Sequence, residues 1–227
     1  MPPTLERLRN GLIVSCQAYP GEPMRHPETM AQLAEAAALG GAVGIRAQGL
    51  DDIALISRRV ALPQIGLWKD GTDDVFITPT LRHALAVVNA GAEIVALDGT
   101  RRARPDGLSL SEVIRRVHDE TGALVMADAG SVDDGMAAAE AGADCVGTTL
   151  AGYTGERVKT DGPDLELVAE LAGLLEVPVI AEGRVHTPAH ARAALDAGAF
   201  AVVVGTAITH PTTITSWFVE RLGRREP

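Results

Sequence analysis

The sequence predicts an α/β protein, a single (β/α)8 TIM barrel spanning residues 1–227. Three observations predict it. Eight short apolar runs are bounded by glycine, proline or polar residues, helix-like stretches separate them, and a Gly-Ala step recurs before alternate runs. Strands alternating with helices imply parallel pairing. Runs that are apolar throughout, rather than at every second residue, imply burial on both faces. Eight such units favour closure into a barrel over an open sheet.

The runs lie at 11–17 (GLIVSCQ), 42–47 (AVGIRA), 64–69 (QIGLWK) and 94–99 (IVALDG), then at 123–129 (ALVMADA), 145–150 (CVGTTL), 178–183 (PVIAEG) and 201–206 (AVVVGT). Helix-like stretches fill 27–39, 79–90, 110–121, 132–141, 165–175 and 188–197. Gly40, Gly91, Gly142 and Gly198, each ahead of an even-numbered strand, are separated by 51, 51 and 56 residues, a step of two βα units. Glycine after a helix serves as a left-handed C-cap, and the alanine beside it lets the next strand pack closely. The last segment, 213–222, carries Ile214, Trp217, Phe218 and Leu222 at helical spacing. Two readings are open for it: a final barrel helix lying on the sheet, or a helix whose apolar face also packs on a second subunit. A homodimer is expected.

Composition agrees with one such domain. At 227 residues the chain is close to the roughly 250 typical of these barrels. Hydrophobic residues make up 46% and aromatics only 3%, so the core is built of Ala, Val, Leu and Ile. The net charge of −10 excludes nucleic acid as a partner, because a phosphate backbone requires a basic face. A small phosphorylated ligand is compatible with it, since a local pocket suffices. Cys16 and Cys145 both lie in apolar runs and read as buried free thiols, although counting alone allows one disulfide. The N-terminus lacks a signal-peptide h-region, and no apolar run approaches the ~20 residues of a membrane span. A cytoplasmic protein with no membrane partner is expected.

Catalytic groups of a barrel sit at the carboxyl ends of its strands. The seventh and eighth runs, Pro178-Val-Ile-Ala-Glu-Gly-Arg184 and Ala201-Val-Val-Val-Gly-Thr206, end in groups suited to gripping a phosphate. Gly183, Arg184, Gly205 and Thr206 supply backbone amides, a cation and a hydroxyl, and Glu182 stands beside them. Lys69 is either a solvated loop charge or a functional amine. In the second case its pKa must fall from ~10.4 before it can accept a proton near neutrality, unless it forms a Schiff base instead. Arg46 is a candidate donor to a substrate oxygen. Asp98 and Asp128 could bind sugar hydroxyls, orient the lysine or cap the following helix. Gln17, Thr100, Thr148 and Thr149 complete the polar strand ends, and Tyr153 is a further candidate for contact with the sugar. The six histidines lack metal-ligand spacing, and no nucleophile elbow, dinucleotide fingerprint or P-loop is present. No metal or cofactor is expected.

Six segments then carry a resemblance: Ile13-Val-Ser-Cys-Gln-Ala, Pro20-Gly-Glu-Pro, Gly44-Ile-Arg-Ala, Phe76-Ile-Thr-Pro-Thr, Val179-Ile-Ala-Glu-Gly-Arg and Val203-Val-Gly-Thr-Ala-Ile-Thr. Over nearly the whole chain the sequence resembles the N-acylglucosamine-6-phosphate 2-epimerases, also called N-acetylmannosamine-6-phosphate 2-epimerases. The resemblance implies a ribulose-phosphate-binding-barrel-like fold. It also implies interconversion of N-acetylmannosamine 6-phosphate and N-acetylglucosamine 6-phosphate in amino-sugar or sialic acid catabolism, without a redox cofactor. By motif position the family's catalytic lysine falls on Lys69 and its catalytic glutamate on Glu182. Two departures stand out. His210 occupies a position where the family usually has arginine before proline, which would make phosphate binding weaker and more pH-dependent if that side chain touches phosphate. Lys69 is followed by Asp70-Gly71, where the family usually has arginine and a longer loop. The competing readings are a Schiff-base aldolase acting through Lys69 on a phosphorylated sugar, and a non-catalytic sugar-phosphate-binding protein.

Overall fold

Eight parallel strands close on themselves in sequence order, β1 pairing with both β2 and β8. In the computed structural model, which describes residues 1–223, the strands are β1 Leu12–Cys16, β2 Gly44–Gln48, β3 Gln64–Leu67, β4 Ile94–Asp98, β5 Leu124–Asp128, β6 Cys145–Gly147, β7 Val179–Glu182 and β8 Ala201–Val204. The helices are α1 Pro3–Glu6, α2 Pro27–Leu39, α3 Leu50–Arg59, α4 Leu81–Asn89, α5 Leu110–Thr121, α6 Val132–Glu140, α7 Leu165–Leu174, α8 Pro188–Asp196, α9 Thr206–Thr209 and α10 Pro211–Leu222. Residues 224–227 of the expected domain lie outside the described residues. No described helix is long and apolar enough to cross a membrane.

Side chains of a strand alternate between faces, and the alternation sorts the core into two layers. Ile13, Ile65, Ile94, Ala96, Met126, Cys145, Ile180, Ala201 and Val203 pack together inside the barrel, and Leu5 and Leu8 from the first segment close its amino-terminal end. Val14, Cys16, Ile45, Ala47, Val95, Leu97, Val125, Ala127 and Val146 alternate with them and pack outward against the helices. The interior parity carries Ser15, Arg46, Asp98, Asp128 and Glu182 to the carboxyl end of the same strands. The two cysteines therefore belong to different layers, both buried and free. Burial pushes the Cys16 thiol up to about 12 and raises Cys145 as well, so both are thiols at neutral pH.

The glycine repeat needs one adjustment. The left-handed residues are Gly41, Gly91, Gly142 and Gly198, with φ of 93°, 118°, 98° and 101°, whereas Gly40 is in the right-handed region at −75°. The first repeat is thus read from Gly41-Ala42, in phase with Gly91-Ala92. The predicted close packing is seen at Ala92. A Cβ added to Gly66 would lie 2.6 Å from the Ala92 Cβ and 2.8 Å from Val87 Cγ1, so β3 meets α4 at glycine-only distance.

The C-terminal segment does form a helix, α10, but it does not lie on the sheet as one of its two readings supposed. None of its residues is buried, and Phe218, Val219 and Leu222 are exposed. It touches the barrel through Trp217, whose ring centroid lies 4.8 Å from that of His186.

Gly66→Ala is expected to lower stability by about 1–3 kcal/mol through overpacking, measured by urea unfolding. An unchanged midpoint would show that β3 and α4 can separate freely.

Candidate active site

Arg46 on β2 is the structural centre of the carboxyl end. Its side chain is 1% exposed and crosses the barrel to two carboxylates. Nη2 donates to Asp128 Oδ2 at 2.5 Å and Nη1 to Asp128 Oδ1 at 3.2 Å, while Nη1 also lies 3.1 Å from Glu182 Oε2. Burial alone would favour the neutral guanidine, but the adjacent Asp128 and Glu182 charges outweigh it and hold the arginine more firmly protonated than usual.

Glu182 ends β7 with its side chain 13% exposed. Burial raises its pKa, the Arg46 charge opposes that, and Asp128 reinforces it, with a raised value as the outcome. Thr149 adds a geometric reason. Its hydroxyl donates to Asp128 Oδ1 at 2.7 Å and lies 3.1 Å from Glu182 Oε2. A hydroxyl has one proton to donate. With that proton on Asp128, the second contact is a hydrogen bond when Glu182 carries the proton. Thr148 fixes the backbone beneath, donating to Glu182 O and accepting from Glu182 N at 2.9 and 3.0 Å.

Lys69 follows β3 and enters a turn closed by its own antiparallel bridge to Ile77. Its ammonium donates to Gln17 Oε1 at 2.9 Å, and Gln17 Nε2 donates to Ser15 Oγ at 2.9 Å. Burial lowers the Lys69 pKa and the Arg46 charge adds to this, against the raising influence of Glu182 and Asp128. Both sequence neighbours of Lys69 are held by one buried ring. His83 Nε2 lies 2.9 Å from Asp70 Oδ2, and the His83 and Trp68 ring centroids are 4.5 Å apart. The short Lys69-Asp70-Gly71 turn is therefore an ordered one, with Asp70 as its fastening point.

Lys69 and Glu182 line one cavity of about 180 Å³ together with Gln17, Gly183, Arg184, Gly205 and Thr206, all of them singled out from the sequence. The backbone at its far end is unusual. Gly183 and Arg184 both have positive φ, 110° and 54°, and α9 begins at Thr206 directly after Gly205. Loops after strands seven and eight, with a short extra helix, make a common phosphate seat in this fold. Arg184 also lines the cavity, but its guanidinium is engaged elsewhere. Nη1, Nε and Nη2 donate to Ala151 O, Gly162 O and Thr160 Oγ1 at 2.8, 3.0 and 3.0 Å, tying down the segment after β6.

The remaining candidates are outside the lining. Arg46 and Asp128 lie beneath it. Asp98 turns to its own loop, accepting from Thr100 N, Thr100 Oγ1 and Arg102 Nη2 at 2.9, 2.6 and 2.7 Å. Tyr153 is exposed beside Lys159 and Arg184. The lining also contains Thr149, one of the polar strand ends, and His210, noted as a departure from the family pattern, together with Ser15, Tyr19 and His186, which the sequence had not singled out. Ser15 could have been found by strand parity, two residues before Gln17. His210 is buried, with Nδ1 3.7 Å from Glu22 Oε1 and its ring edge-on to Tyr19 at 5.1 Å.

A polar cavity at the carboxyl end of a (β/α)8 barrel, lined by a desolvated lysine and a carboxyl of raised pKa, stands where enzymes of this fold carry their active sites. Residues 30–224 match a family model described as "Putative N-acetylmannosamine-6-phosphate epimerase". The chain belongs to the N-acetylmannosamine-6-phosphate 2-epimerase family. It is 64% identical to a family protein of Cutibacterium acnes over 95% of each chain. It is 47% identical to one of Caldanaerobacter subterraneus subsp. tengcongensis, over 97% of this chain and 94% of the other. The solved structure of the N-acetylmannosamine-6-phosphate 2-epimerase from Clostridium perfringens superposes with a TM-score of 0.93 at 40% identity, covering 97% of this chain and 96% of that one.

Arg46→Met leaves Asp128 and Glu182 buried without their cation and is expected to cost about 3–5 kcal/mol. Chemical denaturation checks this, with a loss below ~1 kcal/mol counting against a central role for the pair.

Proposed function

We propose that this chain interconverts N-acetylmannosamine 6-phosphate and N-acetylglucosamine 6-phosphate, as an isomerase that removes and returns the proton at C2. The single observation that carries the reading is the placing of Lys69 and Glu182 on one cavity, with opposite pKa shifts. In the open-chain sugar C2–H is next to the C1 aldehyde, so its removal gives an enolate. Lys69, eased toward its neutral form, takes that proton. Glu182, eased toward its protonated form, handles the proton on oxygen during ring opening and enolate formation. Arg46 lies beneath Glu182 as fixed positive charge near developing negative charge. The phosphate is gripped by Gly183, Arg184, Gly205 and Thr206, through the backbone at Arg184 because its guanidinium is engaged with the neighbouring loop. Gln17 orients Lys69. Asp128 acts through Arg46 and Thr149, while Asp98, Thr100 and Tyr153 support the rim. Inversion follows a one-base course, in which the intermediate rotates about C2–C3 and Lys69 returns a proton to the opposite face. The reaction needs no cofactor. A cytoplasmic location and a homodimer belong to the same reading, the dimer being supported by exposed Phe218, Val219 and Leu222.

Lys69→Ala and Glu182→Ala are each expected to lower turnover by about 10²–10⁴-fold, with full activity in either overturning its role. In deuterated water the one-base course labels recovered substrate as well as product. Fully labelled product beside unlabelled substrate would require two bases.

The pH dependence has a definite sign. Turnover rises from acid pH because the Lys69 amine must be neutral to accept a proton, and it falls at alkaline pH because the Glu182 carboxyl must hold one, so the lowered Lys69 pKa and the raised Glu182 pKa draw the two limbs together around a bell-shaped optimum. Glu182→Gln, which cannot ionise, is expected to retain weak activity without the alkaline decline. A pH–rate profile of that variant checks the assignment.

A further inference from the structure

The ladder between β3 and β4 stops early. β2 pairs with β3 as far as Gln48↔Leu67, and β4 with β5 as far as Asp98↔Asp128, but β3 meets β4 only at Ile65↔Ile94 and Gly66↔Val95. Continued in that register, a parallel ladder would have Trp68 N donate to Ala96 O and Asp98 N to Trp68 O. Both bonds are intercepted. Trp68 N donates to Thr78 Oγ1 at 3.1 Å, and Thr78 Oγ1 donates to Ala96 O at 2.6 Å. Asp98 N donates to Ile77 O at 3.0 Å, and Thr78 N to Trp68 O at 2.8 Å. Ile77 and Thr78, from the connection to α4, are therefore inserted between the two strands beside the end that carries Lys69. We propose that the Thr78 hydroxyl is a wedge that sets where Lys69 stands, which makes Thr78 a positioning residue for the proton transfer at C2, an inference that rests on the epimerase reading.

The residue type supports the wedge. Thr78 is 0% exposed and has a φ of 46°, in the left-handed region that a β-branched residue rarely adopts. Glycine would take that backbone without strain, but it has no hydroxyl to join Trp68 N to Ala96 O. Strain of this kind persists only where the surroundings hold it. Arg104, itself buried, does so: Nη2 donates to Thr78 O at 3.0 Å and Nη1 to Asp98 O at 2.7 Å, which fastens the wedge to the end of β4.

The path from Thr78 to the amine is short. Lys69 follows the wedged Trp68, keeps the inward parity of Ile65 and Leu67, and is bridged to Ile77, the neighbour of Thr78. Asp70 N donates to Phe76 O at 3.0 Å, so the turn moves with the wedge. Held this way, the ammonium reaches Gln17 at 2.9 Å in a buried setting near Arg46, and both influences lower its pKa. Loss of the hydroxyl leaves Trp68 N and Ala96 O without a partner and loosens the strand end. The amine then moves toward water, and its pKa rises toward the ordinary lysine range.

Lys69 and Lys159 are the only lysines of the chain. In a Lys159→Arg parent, isotope-labelled lysine therefore gives one NMR titration, that of Lys69, whatever the activity. Thr78→Val removes the hydroxyl at similar size, and Thr78→Ser retains it. Thr78→Val is expected to lower kcat on N-acetylmannosamine 6-phosphate about 10–100-fold with KM little changed. It is also expected to move the Lys69 titration, and with it the acid limb of the pH–rate profile, to higher pH. Thr78→Ser is expected to restore both kcat and the parent titration. Circular dichroism and thermal melting establish folding. Thr78→Gly, which relieves the positive φ but lacks the hydroxyl, carries the test with the same expected defects if the valine variant does not fold. A Lys69 titration that stays at its parent position without the hydroxyl, or a serine variant as impaired as the valine one, overturns the proposal. A folded parent that does not epimerise the sugar overturns the epimerase reading instead, and the titration alone then decides the wedge.

Discussion

The pairing of Arg46 with Asp128 and Glu182 is the constraint on which the rest of the site depends. It joins β2, β5 and β7 across the barrel interior with three charges almost removed from water. An isolated charge there would be strongly disfavoured, and the mutual pairing makes the group tolerable without making it cheap. The arrangement also leaves one positive charge close to both Lys69 and Glu182. That charge pushes the Lys69 ammonium toward neutrality, while at Glu182 it opposes burial without overcoming it. One ion cluster thus contributes to the pKa shifts of both Lys69 and Glu182.

The barrel interior is divided by this cluster. On its amino-terminal side the inward positions are Ile, Ala, Met, Cys and Val, closed off by Leu5 and Leu8. On its carboxyl side the same strands continue into Ser15, Lys69, Thr149 and Glu182 around a cavity. The apolar half supplies the rigidity that holds the polar half at hydrogen-bond distances. Stability and chemistry are segregated along the strands, which is how a closed barrel can lodge desolvated titratable groups without losing its core.

Much of this architecture was legible in the chain. Uniformly apolar runs could belong only to strands buried on both faces, and their number implied closure. Lys69 and Glu182 were legible as candidates because each ends such a run with a charge, and the family resemblance, not position, separated Lys69 from a solvated loop charge. The side-chain directions were not legible. Arg184 follows a glycine and itself has positive φ, and its guanidinium bonds to the loop after β6. Asp98 shares the inward parity of Asp128, yet it is satisfied within its own loop by Thr100 and Arg102. Neither outcome follows from spacing, because each depends on loop backbone brought from distant sequence. The shift from Gly40 to Gly41 is a smaller case: Gly-Gly leaves the left-handed position ambiguous until the helix end is seen.

By itself the sequence determined the barrel and the strand ends that carry its polar groups, Lys69 and Glu182 among them. Periodicity and residue type are local properties, and they survive without knowledge of distant contacts. Only the tertiary structure decided which polar groups face one cavity, which support it from beneath and which are consumed by neighbouring loops. It also decided the direction of the pKa shifts at Lys69 and Glu182. Those shifts arise from burial and from charges on other strands, and neither exists until the barrel has closed.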